Sequence, residues 1–295
     1  MLAGLTRCTR IIGLTGLLAL TGLLQACGAT KVFYNQAPDF AYWYLDGQLA
    51  FTDAQSLQVK DELGKLLAWH RQTQLPGYIA ALQKLQQQLP SDMDAGTVCA
   101  ALADMRRQWI AVAVQAEPAI VAVVGTLGAD QLAQLERRFA LGNAHFQGDF
   151  LEGTPQEVHD RRLQRAVSRA EMLYGPLDDP QLAVIGQRID QSRFDASLSY
   201  AERLRRQQDT LQTLRPLIAG QATPETTQAA LRGLLERTRN SPDPVYRDYR
   251  AKLAREACET LADLHNSTTA AQRSNAVETL NGQERAFRDL SVQTP

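Results

Sequence analysis

The chain has 295 residues, of which 44% are hydrophobic and 21% are charged, so it can bury a substantial core and is not a disordered segment. Lys and Arg total 31 against 32 Asp and Glu, which gives a net charge of −1. This balance argues against a general nucleic-acid-binding protein, whose affinity depends on neutralising phosphates. Four cysteines are too few for a disulfide scaffold.

Residues 1–26 have the pattern of a bacterial lipoprotein signal peptide. Two arginines and no acidic residue occupy the first ten positions, and residues 11–24 form an apolar run that is shorter than a transmembrane helix of about 20 residues. Residues 24–27, Leu-Gln-Ala-Cys, then resemble the lipobox of lipoprotein precursors. The resemblance implies cleavage between Ala26 and Cys27 and attachment of a diacylglycerol to the Cys27 thiol. The alternatives are a plain secretory signal or an anchor that stays uncut.

Lipidation at Cys27 predicts a membrane-tethered protein. Such lipoproteins normally carry three acyl chains, which bind a bilayer firmly because each buried CH₂ contributes about 0.8 kcal/mol. Gly28 occupies the position where Asp typically signals retention in the inner membrane. The resemblance therefore implies the periplasmic face of the outer membrane, with the inner membrane as the alternative. The predicted organisation after the signal peptide is a lipidated tether at residues 27–37 and a helical domain at residues 38–295, with a subdivision near residues 150–155.

Beyond the tether the sequence predicts an all-α fold. Apolar residues recur at spacings of three and four, and no alternating run is bounded by hairpin turns. The pattern indicates an irregular bundle of roughly eight to ten amphipathic helices without a sheet. Pro76 and Pro118 are expected to break or kink helical runs. One predicted buried face comprises Val98, Leu102, Met105, Trp109 and Val112.

Several helix starts are specified by their capping residues. Residues 52–55 and 154–157 match the capping box, in which a Thr hydroxyl accepts from the third helical N–H and a Gln or Glu side chain reaches back. Similar sequences, each with an apolar residue, a turn and a glutamine, recur at residues 127–131 and 177–181. Their spacing fits no repeat period, so we interpret them as similar helix caps.

Cys99 and Cys258 are predicted to form a disulfide. Two thiols left in one domain of a periplasmic protein commonly pair, because that compartment is oxidising. The bridge would close a loop of about 160 residues, for which the chain-entropy model gives about 5 kcal/mol. The alternative is two separate buried thiols that behave as small hydrophobes.

Aromatic residues are concentrated next to the tether. Seven of the 19 in the chain lie within residues 33–51, namely Phe33, Tyr34, Phe40, Tyr42, Trp43, Tyr44 and Phe51. One interpretation is that they lie at the lipid headgroups, where Trp and Tyr are favoured. The other is that the first helix buries them against the bundle, since Tyr42, Leu45 and Leu49 have helical spacing. We favour core packing.

Five short motifs between residue 27 and about residue 90 carry a family resemblance: Tyr34-Asn35, Trp43-Tyr44-Leu45-Asp46, Thr52-Asp53-Ala54-Gln55, Leu67-Ala68-Trp69-His70-Arg71 and Leu75-Pro76. This part of the chain resembles a family of helical lipoproteins of Gram-negative bacteria. The family has no established activity, so the resemblance implies the fold, the lipid anchor and the location, and it transfers no catalytic residue. More distantly, the Thr-x-x-Gln helix caps resemble those of helical stress chaperones of the periplasm.

The sequence contains none of the common catalytic signatures. The four histidines are scattered, and no two of them have the helical spacing of a zinc hydrolase. A Gly-x-Ser-x-Gly elbow, a Ser-x-x-Lys pair and a glycine-rich phosphate loop are also missing from the sequence. We therefore expect a non-enzymatic protein without a metal or cofactor.

Two clusters are candidate binding surfaces. Trp69, His70 and Arg71, together with Trp43 and Tyr44, would form a ligand or partner patch in which Arg71 binds a carboxylate or phosphate. The favoured alternative is an ordinary helix on which Trp69 packs, Arg71 is solvated or paired, and His70 is a satisfied residue at the edge.

The second cluster is Arg161, Arg165 and Arg169, which are four residues apart and would present a basic stripe to anionic lipid or cell-wall carboxylates. Glu157 lies four residues before Arg161, and other acidic residues are close by. A solvated face of mixed charge is therefore the favoured alternative.

Taken together, these features predict a non-catalytic interaction or scaffold protein of the cell envelope. It would be held to the membrane by the lipid on Cys27, would bind an envelope protein, and would not bind nucleic acid. A chaperone-like holder of unfolded or outer-membrane proteins is the second hypothesis and predicts an exposed apolar concavity. An enzyme is the third.

Overall fold

The computed structural model describes residues 30–220 and 222–293. Within these ranges the chain forms no strand, so the all-α prediction is confirmed. In the same ranges it forms eleven helices of twelve residues or more, whereas roughly eight to ten helices were expected. A helical segment at residues 30–35 leads into the first helix. The predicted signal peptide and Cys27 lie outside the described residues. The helices are α1 (Ala37–Leu49), α2 (Asp53–Thr73), α3 (Leu75–Gln88), α4 (Ala95–Val124), α5 (Ala129–Phe150), α6 (Pro155–Tyr174), α7 (Asp179–Asp190), α8 (Ala196–Ala219), α9 (Pro224–Arg239), α10 (Pro244–Ser267) and α11 (Ala270–Ser291).

Both predicted capping boxes are present. At the start of α2 the Thr52 hydroxyl accepts from the Gln55 N–H, and the Gln55 side chain accepts from the Thr52 N–H. Thr154 and Glu157 form the same pair of hydrogen bonds at the start of α6. The proline at the start of α3 separates that helix from α2. Pro118, in contrast, lies inside α4, which continues through it.

The glutamines of four capping sequences pair across the fold. Gln55 and Gln131 donate to each other's side-chain oxygen at 3.2 and 2.8 Å, so the amino termini of α2 and α5 meet. Gln181 and Gln272 do the same at 2.7 and 2.9 Å, at the amino termini of α7 and α11. The interpretation of these sequences as helix caps is confirmed. The caps also join helices that are distant in sequence.

The hydrophobic core is built from both halves of the chain. α3 packs along α11, α4 along α10, and α5 against α8. Buried clusters connect α4, α5 and α8 in one place, and α6, α11 and the end of α3 in another. The region near residues 150–155 contains the connection between α5 and α6. Helices before and after this connection share the same clusters.

A disulfide joins α4 to α10. It links Cys99 to Cys258, as predicted, with the two Cα atoms 5.3 Å apart. Val98 and Ala262 are buried beside it. Because the cysteines are 159 residues apart, the bridge restricts most of the unfolded chain and stabilises the fold by about 5 kcal/mol in the chain-entropy model.

The predicted buried face of α4 is open to solvent in its middle, between Val98, which is buried, and Val112, which is half-buried. Val98 is 7% exposed, whereas Leu102, Met105 and Trp109 are 38%, 57% and 67% exposed. The prediction that these three side chains are buried is wrong. α10 covers α4 beside Cys99, and the next turns of the same face remain open to solvent.

Candidate interaction site at the amino-terminal end

Two tyrosines and a histidine attach the segment at residues 30–35 to α2 and α3. The Tyr34 hydroxyl is 2.8 Å from Nδ1 of His70, and Nε2 of His70 is 3.2 Å from the Tyr78 hydroxyl. Burial lowers the pKa of His70 and raises the pKa of Tyr34 to about 12. The imidazole is therefore neutral at pH 7, and it donates to one phenol while accepting from the other. Both ring nitrogens are thus engaged within the chain.

A buried arginine holds the same segment. Arg71, only 8% exposed, donates from Nη2 to Oδ1 of Asn35 at 2.7 Å, and its guanidinium lies over the Tyr34 ring. Its Nε is buried and has no hydrogen-bond partner among the described residues. A more exposed ion pair between Lys31 and Asp289 connects the segment to α11. We call these contacts, together with the Tyr34–His70–Tyr78 chain, the tether clamp.

The tether clamp accounts for most of the predicted Trp69–His70–Arg71 patch. Arg71 and His70 bind the chain's own residues 34 and 35, and Trp69 is half-buried with its ring edge toward His70. The structure therefore places these side chains where they fix the amino-terminal segment.

The aromatic residues near the tether divide into two sets. The Tyr42 hydroxyl donates to Ser56 Oγ at 2.9 Å, and Leu49 packs against the core of α4, α5 and α8, so this side of α1 faces the bundle. Tyr34 and Phe51 are also half-buried. The other four rings face solvent, and for them the expectation of core packing is wrong. Their exposed fractions are 63% for Phe33, 49% for Phe40, 75% for Trp43 and 60% for Tyr44. The physical reason is that α1 has apolar residues on two opposite faces, and only one of them can pack against the bundle.

Most of the predicted basic stripe is engaged within the protein. Arg161 donates to the backbone carbonyls of Asp149 and Glu152 at 3.2 and 2.6 Å, next to the carboxyl end of α5. Arg165 forms an ion pair with Asp149 and lies over a phenylalanine ring. Arg169 is exposed. These contacts join α6 to the carboxyl end of α5 and to the connection between the two helices.

A buried acidic residue on α8 was not predicted. Glu202 is 5% exposed and accepts from Arg205, Arg206 and the Ser241 hydroxyl. Burial alone would raise the pKa of Glu202, but the hydrogen bonds from the two arginines lower it, so the carboxylate stays ionised. The spacing of Glu202 to the arginines, three and four residues on a helix, is the signal that could have indicated it.

The described residues also contain shallow clefts. One, of about 420 Å³, runs between α3 and α4 and is lined by Gly77, Ala80 and Gln108 among others. Within the described ranges, no three His, Cys, Asp or Glu side chains are arranged to hold a metal ion. No helix in this part of the chain combines the length and apolar content needed to cross a bilayer.

Comparison with known proteins identifies the family. Residues 44–250, more than half of the chain, match the DUF6279 family, which is described as a family of unknown function. The chain belongs to the DUF6279 family. The matched region begins within α1 and ends in α10, so it includes Trp69, His70 and Arg71 of the tether clamp. No curated protein and no solved structure matches the chain.

Proposed function

We propose that this DUF6279 protein is a lipoprotein anchored by Cys27 in the outer membrane, and that it acts in the periplasm as a non-catalytic interaction protein. The lipobox-like sequence supports the anchor. The disulfide between Cys99 and Cys258 supports an oxidising compartment such as the periplasm.

The main support for the interaction role is an exposed apolar stripe on α4, formed by Leu102, Met105 and Trp109. Trp and Met are enriched at protein interfaces, and exposed Trp side chains are frequent centres of binding energy. The stripe begins three residues after Cys99, where the disulfide fixes α4 to α10. A rigid backbone loses little conformational entropy when it binds a partner. The α4 stripe is therefore the surface that we assign to a protein partner.

The test is site-specific photo-crosslinking in living cells. A photoreactive amino acid replaces Met105 or Trp109 in the full-length protein, and Arg138, exposed on α5, is the control position. We expect one abundant adduct from the two stripe positions and none from the control. An equal set of adducts from all three positions, or none from the stripe, would contradict the assignment.

A chaperone-like holder of unfolded or outer-membrane proteins is the second candidate. It is favoured by Ile120, 47% exposed, which lies 18 residues or five helical turns beyond Leu102 and extends the apolar stripe along α4. This hypothesis predicts many different adducts from the stripe positions, with more of them after heat stress. A single adduct would instead support a dedicated partner.

A further inference from the structure

We propose that the outward face of α1 and the preceding segment lies in the headgroup layer of the membrane and orients the helical domain on the bilayer. We call this surface the aromatic face, and it consists of Phe33, Phe40, Trp43 and Tyr44. The inference rests on the proposed lipid anchor at Cys27, because that anchor brings the bilayer to this end of the protein.

The aromatic face is continuous and its own residues are uncharged, and the exposed Asp39 lies at its edge, one turn before Trp43. Residues 40, 43, 44 and 47 follow the spacing of one helical face, and Phe33 lies two turns before Phe40, with the two ring centroids 6.1 Å apart. Between the rings this face carries only Gln36, Ala37 and Gly47. A tryptophan and a tyrosine beside two phenylalanines, with no charged residue among them, have the composition of a surface at a membrane interface.

The opposite face of the same helix is fixed to the bundle. Tyr34 and Lys31 belong to the tether clamp, and Tyr42 is bonded to α2 through Ser56. α1 packs against α2 and α5. Because this side is held at several points, the aromatic face cannot rotate into the core and stays directed outward.

The length of the tether places the bilayer within reach. Two residues, Gly28 and Ala29, separate Cys27 from Thr30, and the three residue steps from 27 to 30 span at most about 11 Å. A helical segment from residue 30 to residue 49 would be about 30 Å long, at 1.5 Å per residue. If Cys27 is acylated, the amino terminus of this segment starts close to the lipid headgroups, and the exposed apolar side chains that follow first in the chain are Val32 and the aromatic face. A lipid surface is therefore the occupant that the position favours over a protein.

Fluorescence quenching by brominated lipid tests this inference. The full-length protein, isolated from membranes, is reconstituted into phosphatidylethanolamine and phosphatidylglycerol vesicles with and without acyl-brominated phosphatidylcholine. A W69F/W109F chain reports Trp43 alone, and a W43F/W69F chain reports Trp109 of the α4 stripe as the matched control. The wild-type protein measured beside Trp43→Phe gives the Trp43 signal by difference if the double variants fold poorly. The same samples are analysed by mass spectrometry for acylation of Cys27.

We expect bromine to lower the emission of Trp43 by about twofold and to leave that of Trp109 nearly unchanged, because only the aromatic face meets lipid. Acylated protein with an unquenched Trp43 would overturn this inference while leaving the anchor intact. Trp43 that is unquenched in vesicles, yet shielded from acrylamide in native membranes, would show that a protein covers the face and would also overturn it. A Cys27 without acyl chains would refute the anchor and this inference together.

Discussion

Replacing Gln181 by Leu should expose how much the paired glutamine caps contribute to stability. Gln181 is fully buried, and its amide donates to the Ser267 carbonyl at 3.2 Å and to the Gln272 oxygen at 2.7 Å. Its oxygen accepts from the Asp178 N–H at 3.0 Å and from the Gln272 amide at 2.9 Å. Leu has a similar size, so the substitution removes four hydrogen bonds without a large cavity.

The cost follows from the groups left without partners. A buried polar group that loses its hydrogen bond costs about 1–3 kcal/mol. Asp178 is exposed, and Ser267 and Gln272 are half-buried, so water can replace part of what these partners lose, and Gln272 also keeps its bond to the Pro176 carbonyl. We therefore expect a loss of about 1–3 kcal/mol in the free energy of unfolding. Urea unfolding of the lipid-free chain, followed by circular dichroism at 222 nm, measures this loss as a downward shift of about 0.3–1 M in the unfolding midpoint if m is about 3 kcal/mol/M.

Two comparisons make this result decisive. Gln87→Leu, on an exposed position of α3, should change stability by less than about 0.5 kcal/mol. The double variant Gln181→Leu/Gln272→Leu should cost less than the sum of the single variants, since each one already breaks the reciprocal pair. A Gln181→Leu variant as stable as the Gln87→Leu control, or strictly additive costs, would refute the role assigned to the glutamine pair.

Three further predictions concern the disulfide, a buried carboxylate and a buried phenol. Reducing the Cys99–Cys258 bond should lower the free energy of unfolding by up to about 5 kcal/mol, measured by urea titration with and without dithiothreitol, and an unchanged midpoint would contradict it. Glu202→Ala should cost about 1–3 kcal/mol in the same assay, because the Ser241 hydroxyl and two half-buried arginines lose a partner while Arg205 keeps Asp209, whereas Glu62→Ala on the surface should cost less than about 1 kcal/mol. Equal losses of stability in the two variants would contradict this prediction. Burial raises the pKa of Tyr174 from 10.0 to about 12, so the folded state disfavours its ionisation, and up to about 3 kcal/mol of stability present below pH 10 is lost as the pH rises toward 12. In Tyr174→Phe the urea midpoint should fall less steeply between pH 9 and 11 than in the wild-type chain. An equally steep fall in the two proteins would contradict this prediction.

The features that the sequence predicted correctly are those set by local chemistry or by the small number of cysteines in the domain. The caps at Thr52 and Thr154 need only residues within one turn, and each forms as the spacing indicates. The pairing of Cys99 with Cys258 followed from the expected compartment and from the number of cysteines left in the domain.

The orientation of α1 depends on long-range packing and could not be read from the sequence. Leu45 and Leu49 on one side and Phe40 and Trp43 on the other are both apolar, so helical periodicity alone does not say which side is buried. The hydrogen-bond partner of a buried arginine could not be read from the sequence either. Arg71 pairs with a residue 36 positions away, and no local spacing predicts that contact.

The central claim is that Cys27 anchors this domain to the outer membrane, and the mass of the amino-terminal peptide tests it most directly. The protein is recovered from separated inner and outer membranes, digested, and analysed beside a Cys27→Ala variant. We predict an outer-membrane protein whose first residue is Cys27 carrying three acyl chains, and an uncleaved precursor for the variant. An amino terminus at another residue, or a Cys27 with a free thiol, would contradict the account.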